Sequence, residues 1–365
     1  MTKTATFMDF NFLKNLFGSR TYLGVDIGTT SLKIAEVRRG KNGAELLNYG
    51  YLESFDYLER ANQAFQTSTL KLNEGGIAKF IRALMKQSGI PAHPVIASLP
   101  SFSSFSTLIE VPQLSERELA ESMQLQAKQY VPMPISEVKL DWQKVGERRD
   151  EKGALLQQIL LISVPNEVVA RYQKIFSLAG LSLLALEVEG LSLARSATMG
   201  TAGPALVMDI GARSTTIVVA ENGFMKFAGQ TDFAGATLTQ TVATGLKLGN
   251  RRAEEMKRHR GLTGAAGEYE LFTLLQPMVD VIINEGMRVR KNYETLYKTA
   301  VTRIILAGGG ANLPGLHRYI AKETGLPVSH AAPFERVAYP ISMAPLLTGL
   351  GPIFAVAIGL GLKEL

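Results

Sequence analysis

The chain contains no cysteine, only four histidines and a single tryptophan among its 365 residues. The absence of cysteine excludes disulfides, thiolate metal ligands and cysteine nucleophiles, and it suits a reducing compartment. The four histidines are scattered without metal-ligand spacing, which argues against a zinc site. A chain of this length has room for two domains, each with a substantial core.

Motifs for nucleic-acid binding are also lacking, although the net charge is +6. Part of the positive excess lies in the segment 247–260, which carries six Lys or Arg against two Glu. No aromatic platform or known motif accompanies this basic segment. We therefore predict no nucleic-acid partner and interpret the segment as a solvated basic face. A rim that attracts a polyphosphate or an acidic lipid is the alternative.

Two apolar stretches resemble membrane segments without matching them well. The N-terminal residues 1–20 are rich in Phe and Leu but lack the apolar core and cleavage site of a signal peptide. We predict an amphipathic arm that docks on this chain or a partner, with membrane contact as the alternative. The uncharged stretch 341–362 is long enough to span a bilayer, but prolines and glycines interrupt it. We expect a loop there, followed by a buried helix at about 353–360.

An internal repeat predicts the core of the fold. The segment 24–37 reads G-V-D-I-G-T-T-S-L-K-I-A-E-V, and the segment 207–220 reads V-M-D-I-G-A-R-S-T-T-I-V-V-A. When Asp26 is aligned with Asp209, each copy is an apolar strand, a glycine turn with hydroxyl residues, and a second apolar strand. This pattern is typical of a β-hairpin with a polar tip.

The tips of the two hairpins carry groups suited to phosphate. Gly28 and Gly211 allow the backbone to approach a ligand closely, and successive N–H groups in such turns bind anions. The carboxylates of Asp26 and Asp209 suit a Mg²⁺ ion placed between them and the phosphates. Lys33 supplies a positive charge to the phosphates. The candidate hydroxyl donors in the tips are Thr29, Thr30, Ser31, Ser214 and Thr215, and Ala212 is a further candidate phosphate-binding residue.

A third glycine-rich element follows a buried-strand pattern at 304–307. Gly308, Gly309 and Gly310 come next, with Asn312 shortly after them. A turn of this kind lets a flat adenine or sugar lie against the backbone. Taken alone, the segment fits an ordinary strand-to-helix turn better.

In this order, the segments resemble the superfamily of actin, sugar kinases and heat-shock chaperones. The hairpins at Asp26 and Asp209 resemble its two phosphate motifs, and 304–315 resembles its adenosine motif. The segments 187–195 and 352–360 resemble its two lobe-connecting helices. The resemblance implies an α/β, two-lobed actin-like (ribonuclease-H-like) fold that binds ATP and Mg²⁺ between its lobes.

The same resemblance implies roles for further residues. In this superfamily a Glu and a Lys after the second phosphate motif contact the nucleoside, a role that falls here on Glu254 and Lys257. An i,i+3 surface ion pair explains their spacing equally well. Asp26, Asp209 and Glu189 are implied to orient water and Mg²⁺, with the two aspartates as metal ligands. Whether ATP is hydrolysed slowly or only bound stays open.

The motifs also divide the chain into domains. A β-β-α-β-α module interrupts the first lobe, and within it Ser115 and Glu118 have the spacing of a capping box at the start of a helix that ends near Val131. The expected divisions are an arm at 1–20, lobe 1 at 21–94 with 180–200 and 350–365, the inserted module at 95–179, and lobe 2 at 201–349 with an upper part at about 235–300.

The inserted module narrows the resemblance to two bacterial families, the cell-division protein FtsA and the type IV pilus assembly protein PilM. The phrases at 109–119, 129–141, 172–181 and 186–195 are most similar to the PilM family. The FtsA core is usually followed by a linker and an amphipathic membrane helix, and nothing similar follows residue 361 here. We therefore expect a member of the PilM family.

Membership would imply a cytoplasmic ATP-binding scaffold at the inner-membrane platform of the pilus. Its implied partner is the cytoplasmic N-terminal segment of PilN, and platform proteins and motor ATPases are further implied partners. An extended peptide can lie along a sheet edge. The candidate residues for the groove that holds the PilN segment are 108–114 and the helix from Leu119 onward. Core packing is the alternative role for that helix face. Membrane association is expected to be indirect, and self-association stays open. The alternative functions are an FtsA-like filament protein and a small-molecule kinase.

Overall fold

The computed structural model describes residues 21–53, 73–150, 152–263 and 269–365. The predicted arm at 1–20 lies outside the described residues. Within the described part, two five-stranded sheets and one three-stranded sheet organise the chain. Each five-stranded sheet forms the centre of a lobe, and the smaller sheet belongs to the inserted module.

The first sheet forms lobe 1. Its strands are β1 (Thr21–Ile27), β2 (Ser31–Gly40), β3 (Gly43–Glu53), β4 (Val95–Leu99) and β8 (Leu183–Val188). Their spatial order is β3-β2-β1-β4-β8, in which β1 to β3 are antiparallel and β4 and β8 are parallel to β1. Every residue of β4 and β8 is buried, as expected for parallel strands covered on both faces. Two helices, α1 (Glu74–Ser88) and α3 (Asn166–Ala179), pack together on this sheet.

The second sheet forms lobe 2 and repeats the arrangement of the first. Its strands are β9 (Ala205–Ile210), β10 (Thr215–Glu221), β11 (Phe224–Thr231), β12 (Ile304–Ala307) and β13 (Val328–His330). Their order is β11-β10-β9-β12-β13, again an antiparallel trio followed by two parallel strands. The predicted hairpin repeat is therefore part of a repeat of whole sheets. The helices of this lobe are α5 (Gly235–Gly245), α6 (Asn250–Arg260), α7 (Tyr269–Tyr297) and α8 (Leu316–Thr324).

The third sheet belongs to the inserted module. It contains β5 (Phe105–Pro112), β6 (Val138–Arg149) and β7 (Leu155–Pro165) in the order β5-β7-β6, and α2 (Glu116–Tyr130) shares its core. The predicted capping box is present, because Ser115 N–H donates to Glu118 Oε2 at 2.8 Å and the Ser115 hydroxyl accepts from Glu118 N–H. The helix ends before Val131, as predicted. Leu119 is buried in the module core, in agreement with core packing for this helix face.

The separate sheet of the module spans a shorter range than the predicted 95–179, and one of its three strands, β6, was not predicted. Strand β4 belongs to the sheet of lobe 1, and α3 packs into the lobe 1 core. The separate sheet therefore begins at Phe105. The unpredicted strand β6 is an edge strand with a register shift between Lys144 and Gly146. Polar residues interrupt the apolar residues of β6, so its sequence lacks the pattern from which a strand is predicted.

Two helices connect the lobes, namely α4 (Glu189–Thr198) and α9 (Leu347–Gly361). They cross in close contact, because a Cβ atom on Gly359 would lie 2.0 Å from the carbonyl oxygen of Ser192. Arg195 fixes this crossing by donating from Nη1 to the Gly359 carbonyl at 2.7 Å and from Nη2 to Glu187 Oε1 at 2.5 Å. Helix α4 packs against β10 and β11, and α9 packs against β1 and β2.

The uncharged C-terminal stretch is helical over a longer range than predicted. Among the described residues, Ile341–Gly361 is the one stretch long and apolar enough to cross a membrane, and 44% of its most apolar 18-residue window is buried. The predicted loop is instead a 3₁₀ helix at Ile341–Leu346 that leads into α9, so the predicted start near 353 is wrong. Pro352 lies inside α9, where burial of the following turns outweighs the cost of about 3 kcal/mol for an interior proline. Packing against lobe 1 accounts for the apolar composition of the buried part of α9.

Candidate functional site

The two hairpins have the same local geometry. In the first turn Gly28 N–H donates to the Ser31 carbonyl at 2.9 Å, and in the second Gly211 N–H donates to the Ser214 carbonyl at 3.0 Å. A Cβ atom on Gly211 would lie 2.9 Å from the Ser214 oxygen, so the turn requires glycine. Both tips end at the same cavity between the lobes.

This cavity brings together the residues predicted from the sequence as site residues, with the exception of Thr215, which is buried and donates its hydroxyl to the Phe233 carbonyl at 2.7 Å. The cavity is lined by both hairpin tips, the first residue of α4, helix α6 and the turn after β12. The predicted residues in its wall are Asp26, Gly28, Thr29, Thr30, Ser31, Lys33, Glu189, Asp209, Gly211, Ala212, Ser214, Glu254, Lys257, Gly308, Gly309, Gly310 and Asn312.

Asp26 is held from both sides at the floor of the cavity. Its Oδ1 accepts a hydrogen bond from the Ser98 hydroxyl at 2.8 Å, and its Oδ2 pairs with Lys33 Nζ at 2.9 Å. Burial alone would lower the pKa of Lys33, but the carboxylate of Asp26 raises it above its ordinary value. Lys33 is therefore a fixed positive charge in the wall of the cavity.

Asp209 and Glu189 carry negative charge that the protein balances poorly. Burial, followed by repulsion from Glu189, raises the pKa of Asp209 from 3.8 to about 7. Burial also raises the pKa of Glu189, against the hydrogen bonds that it accepts from Thr216 and Ser101. Glu189 and Asp26 both repel the charge of Asp209, and Lys33 is the cation that opposes them there, so this part of the cavity favours a further cation.

Helix α6 forms another wall through a buried ion pair. Lys257 Nζ lies 2.7 Å from Glu254 Oε2 and donates to the Gly235 carbonyl at 2.9 Å. Burial alone would raise the pKa of Glu254, but Lys257 lowers it below its ordinary value. The i,i+3 pair considered from the sequence thus exists, but it is buried beside the cavity and does not lie on an exposed surface.

The glycine-rich turn after β12 lies directly against the second hairpin. Gly308 has a φ of 79°, and a Cβ atom there would lie 2.2 Å from Asp209 Oδ1. A Cβ atom on Gly309 would meet nothing within 4 Å, so this backbone borders open space. The Asn312 side chain donates to the Gly349 carbonyl at 2.9 Å, which connects the turn to α9.

The donor set fits a nucleotide phosphate with a divalent cation. Within the described residues, no group of three or more His, Asp or Glu side chains forms a metal site by itself. A cation between Asp26 and Asp209 would need further oxygen ligands, which phosphate and water supply in Mg²⁺ sites. The hairpin N–H groups and Lys33 would bind the remaining phosphate charge.

Sequence reasoning missed several residues at this site. Thr216 is one of them. The internal repeat could have identified it, because Thr216 lies opposite Asp209 in the second hairpin, just as Lys33 lies opposite Asp26 in the first. Another is Ser98, a buried serine in an apolar strand, where the sequence shows no partner. Glu53, Pro100, Phe102 and Arg258 also line the cavity and were not predicted.

The repeated sheets, the connecting helices and the inserted module can be compared with known proteins. The family model described as type IV pilus assembly protein PilM matches residues 24–365. The chain belongs to this family. The predictions of a PilM-family protein and of a role in type IV pilus assembly are confirmed. The kinase and FtsA-like alternatives are not favoured.

Solved structures share the fold over almost the whole chain. A structure titled "PilM-PilN type IV pilus biogenesis complex" is 24% identical, with 94% of this chain and 98% of that chain covered and a TM-score of 0.76. The ethanolamine utilization protein EutJ from Carboxydothermus hydrogenoformans is 16% identical, with coverages of 94% and 90% and a TM-score of 0.54. MreB5 of Spiroplasma citri bound to AMPPNP is 13% identical, with coverages of 93% and 94% and a TM-score of 0.50. The predicted actin-like fold is confirmed.

Proposed function

We propose that this chain is an actin-like scaffold of type IV pilus assembly that binds ATP with Mg²⁺ and holds the cytoplasmic N-terminal segment of PilN. The observation that carries the nucleotide part is the convergence of two equivalent hairpin tips on one cavity that contains Lys33 and several carboxylates. A solved relative with bound AMPPNP supports the ligand class. The family match and a solved PilM–PilN complex support the partner.

Each wall of the cavity has a distinct proposed role. Asp26 and Asp209 hold the cation, while the N–H groups of the tips and Lys33 bind phosphate oxygens. Glu254 and Lys257 face the ribose, and the glycine turn from Gly308 faces the base. Bound Mg²⁺ would neutralise the carboxylates and the phosphates together. Glu189 and Asp209 are the groups able to orient a water molecule near the phosphates.

The proposed partner surface lies on the inserted module. Strands β5 and β6 are the edges of its sheet, and among the described residues each pairs with β7 alone. An extended peptide can add to such an edge by main-chain hydrogen bonds and place alternate side chains in pockets. We propose that the chain lies on the cytoplasmic side of the inner membrane and is attached through PilN. On the family resemblance alone, other platform proteins and motor ATPases are proposed contacts of the assembled platform.

Calorimetry with Asp26→Ala tests the nucleotide site. We expect Mg·ATP affinity to fall about tenfold or more, a loss of about 1.4 kcal/mol. The dependence of ATP affinity on Mg²⁺ should fall as well, because the variant removes a proposed cation ligand and leaves Lys33 unpaired. Asp232→Ala, at an exposed carboxylate, is the matched control. Unchanged Mg·ATP affinity in a folded Asp26→Ala protein would refute the site.

A binding assay with a synthetic peptide of the PilN N-terminal segment tests the partner. We expect the full chain to bind this peptide and a scrambled peptide of the same composition to remain unbound. The assay is run with and without Mg·ATP, so that partner binding is scored separately from nucleotide binding. Failure of the peptide to bind in both states would contradict the scaffold proposal while leaving the nucleotide site untouched.

A further inference from the structure

The segment that leads into the inserted module is itself part of the cavity wall. We call residues 100–104 the link segment; it contains a 3₁₀ turn at Ser101–Ser103, and β5 begins at the next residue, Phe105. Pro100 and Phe102 line the cavity. Just before them, Ser98 donates to Asp26. The short link segment alone therefore separates the cavity wall from the edge strand of the module.

The Glu189 carboxylate joins the link segment to both other parts of the site. Its Oε1 accepts from the Ser101 backbone N–H at 3.1 Å and from the Thr216 hydroxyl at 2.6 Å. Glu189 is the first residue of α4, Thr216 belongs to the second hairpin, and Ser101 belongs to the link segment. One oxygen atom thus connects lobe 2, the lobe-connecting helix and the entrance to the module.

The module is held to lobe 2 at a second place. Lys226 of β11 donates through Nζ to the Val145 carbonyl of β6. Strand β5 also contacts β11, while Leu108 of β5 packs against a core cluster to which both lobes contribute. Because the module contacts both lobes, a change in their separation changes the environment of β5.

We propose that Ser101 is a positioning residue for Glu189 and that the link segment transmits nucleotide occupancy from the cavity to strand β5 of the inserted module. Charge placed near Asp26 and Asp209 changes the field at Glu189, which holds both donors. A ligand shifts a conformational equilibrium by its different affinity for the two states, and here the two states differ in the position of the link segment. This inference rests on the proposed nucleotide function and adds a route by which bound nucleotide would regulate partner binding.

Hydrogen exchange on the full chain, with and without Mg·AMPPNP, tests the link. In the unmodified protein we expect nucleotide to change the exchange rates of β5 amides about fivefold or more, the lower end of usual couplings between sites. Ser101→Pro removes the N–H donor while suiting the first position of a helical turn, and it should abolish the response of β5. Ser101→Ala retains the N–H group and removes only the hydroxyl, which lies 3.4 Å from the Thr216 hydroxyl, and it should keep most of the response.

Nucleotide affinity, measured in parallel, separates this inference from the function on which it rests. If the unmodified chain binds no nucleotide, the proposed function fails. If it binds nucleotide and β5 exchange is unchanged, only the link is refuted. Thr216→Val removes the second donor without changing side-chain shape and serves if Ser101→Pro does not fold. A full β5 response in a folded Ser101→Pro protein, or in Thr216→Val when the proline variant is unfolded, would overturn the proposal.

Discussion

Asp209 has the clearest conflict between charge and environment in the cavity. Its pKa of about 7 lies above the ordinary 3.8 because of burial and the neighbouring Glu189. The folded protein therefore retains a proton that the unfolded chain releases at lower pH. Between about pH 4 and pH 7 the unfolded state binds fewer protons, so the free energy of unfolding falls as the pH rises. Each pH unit in this window costs the folded state at most about 1.4 kcal/mol.

Asp209→Asn removes this titration, which gives a pH-dependent prediction. Without nucleotide, the variant should unfold at a higher temperature than the unmodified protein at pH 8, and the difference should shrink at pH 4.5. Thermal unfolding at the two pH values measures it, with Asp232→Asn at an exposed site as the control. A stability difference of the same size at both pH values would contradict the assigned pKa. Saturating Mg·ATP should stabilise the variant less than the unmodified protein.

The crossing of α4 and α9 sets the geometry of the lobes at the scale of elements. Close approach depends on glycine, because the Cβ atom of an alanine at 359 would lie 2.0 Å from the Ser192 carbonyl oxygen. Arg195, which donates to the Gly359 carbonyl, would lose its position if the helices moved apart. The Ser192 carbonyl oxygen is a backbone atom, so it cannot move away from an added Cβ atom as the end of a flexible side chain could.

Gly359→Ala should therefore destabilise the protein by about 1–3 kcal/mol or more, the usual cost of overpacking a core. Gly349→Ala is the matched control in the same helix, since its Cβ atom would meet nothing within 4 Å. The control should be neutral or gain up to about 1 kcal/mol from the higher helix propensity of alanine. Urea unfolding compares the two variants. Equal stability of Gly359→Ala and the unmodified protein would show that the helices can separate without cost.

The sequence was most informative where a pattern is local and repeated. The two Asp-Ile-Gly hairpins and the Ser115–Glu118 capping box each lie within a short segment, and the structure contains them as predicted. Pairings between residues far apart in the sequence were harder to predict. Strand β4 looked like part of the module because its pairing with β1 and β8 joins distant segments.

The same reason explains the site residues that were missed. Ser98 and Ser101 have ordinary local sequences, and their importance comes from Asp26 and Glu189, which lie far away in the chain. The start of α9 was misplaced because proline and glycine disfavour a helix locally, whereas burial in lobe 1 stabilises it. The roles of these serines and the start of α9 both depend on tertiary contacts that the local sequence does not show.

At the scale of the whole molecule, one ion pair crosses the mouth of the cavity. Arg258 of α6 in lobe 2 donates through Nη1 to Glu53 Oε2 at 3.2 Å, and Glu53 is the last residue of β3 in lobe 1. The same guanidinium donates through Nε to Glu254 Oε1 at 2.6 Å. These contacts raise the pKa of Arg258, with the Glu53 hydrogen bond as the first cause. Both partners of the interlobe pair line the cavity, so the pair must open if the lobes separate.

Glu53→Gln should therefore speed the release of bound nucleotide. Partly exposed ion pairs contribute about 0.2–1 kcal/mol, so we expect the dissociation rate to rise up to about fivefold. Stopped-flow release of a fluorescent ATP analogue measures the rate. Glu255→Gln is the control, because it breaks the exposed Arg251–Glu255 pair on the same helix without affecting the contact between lobes. An unchanged release rate in Glu53→Gln would mean that the lobes open by a route that leaves this pair intact.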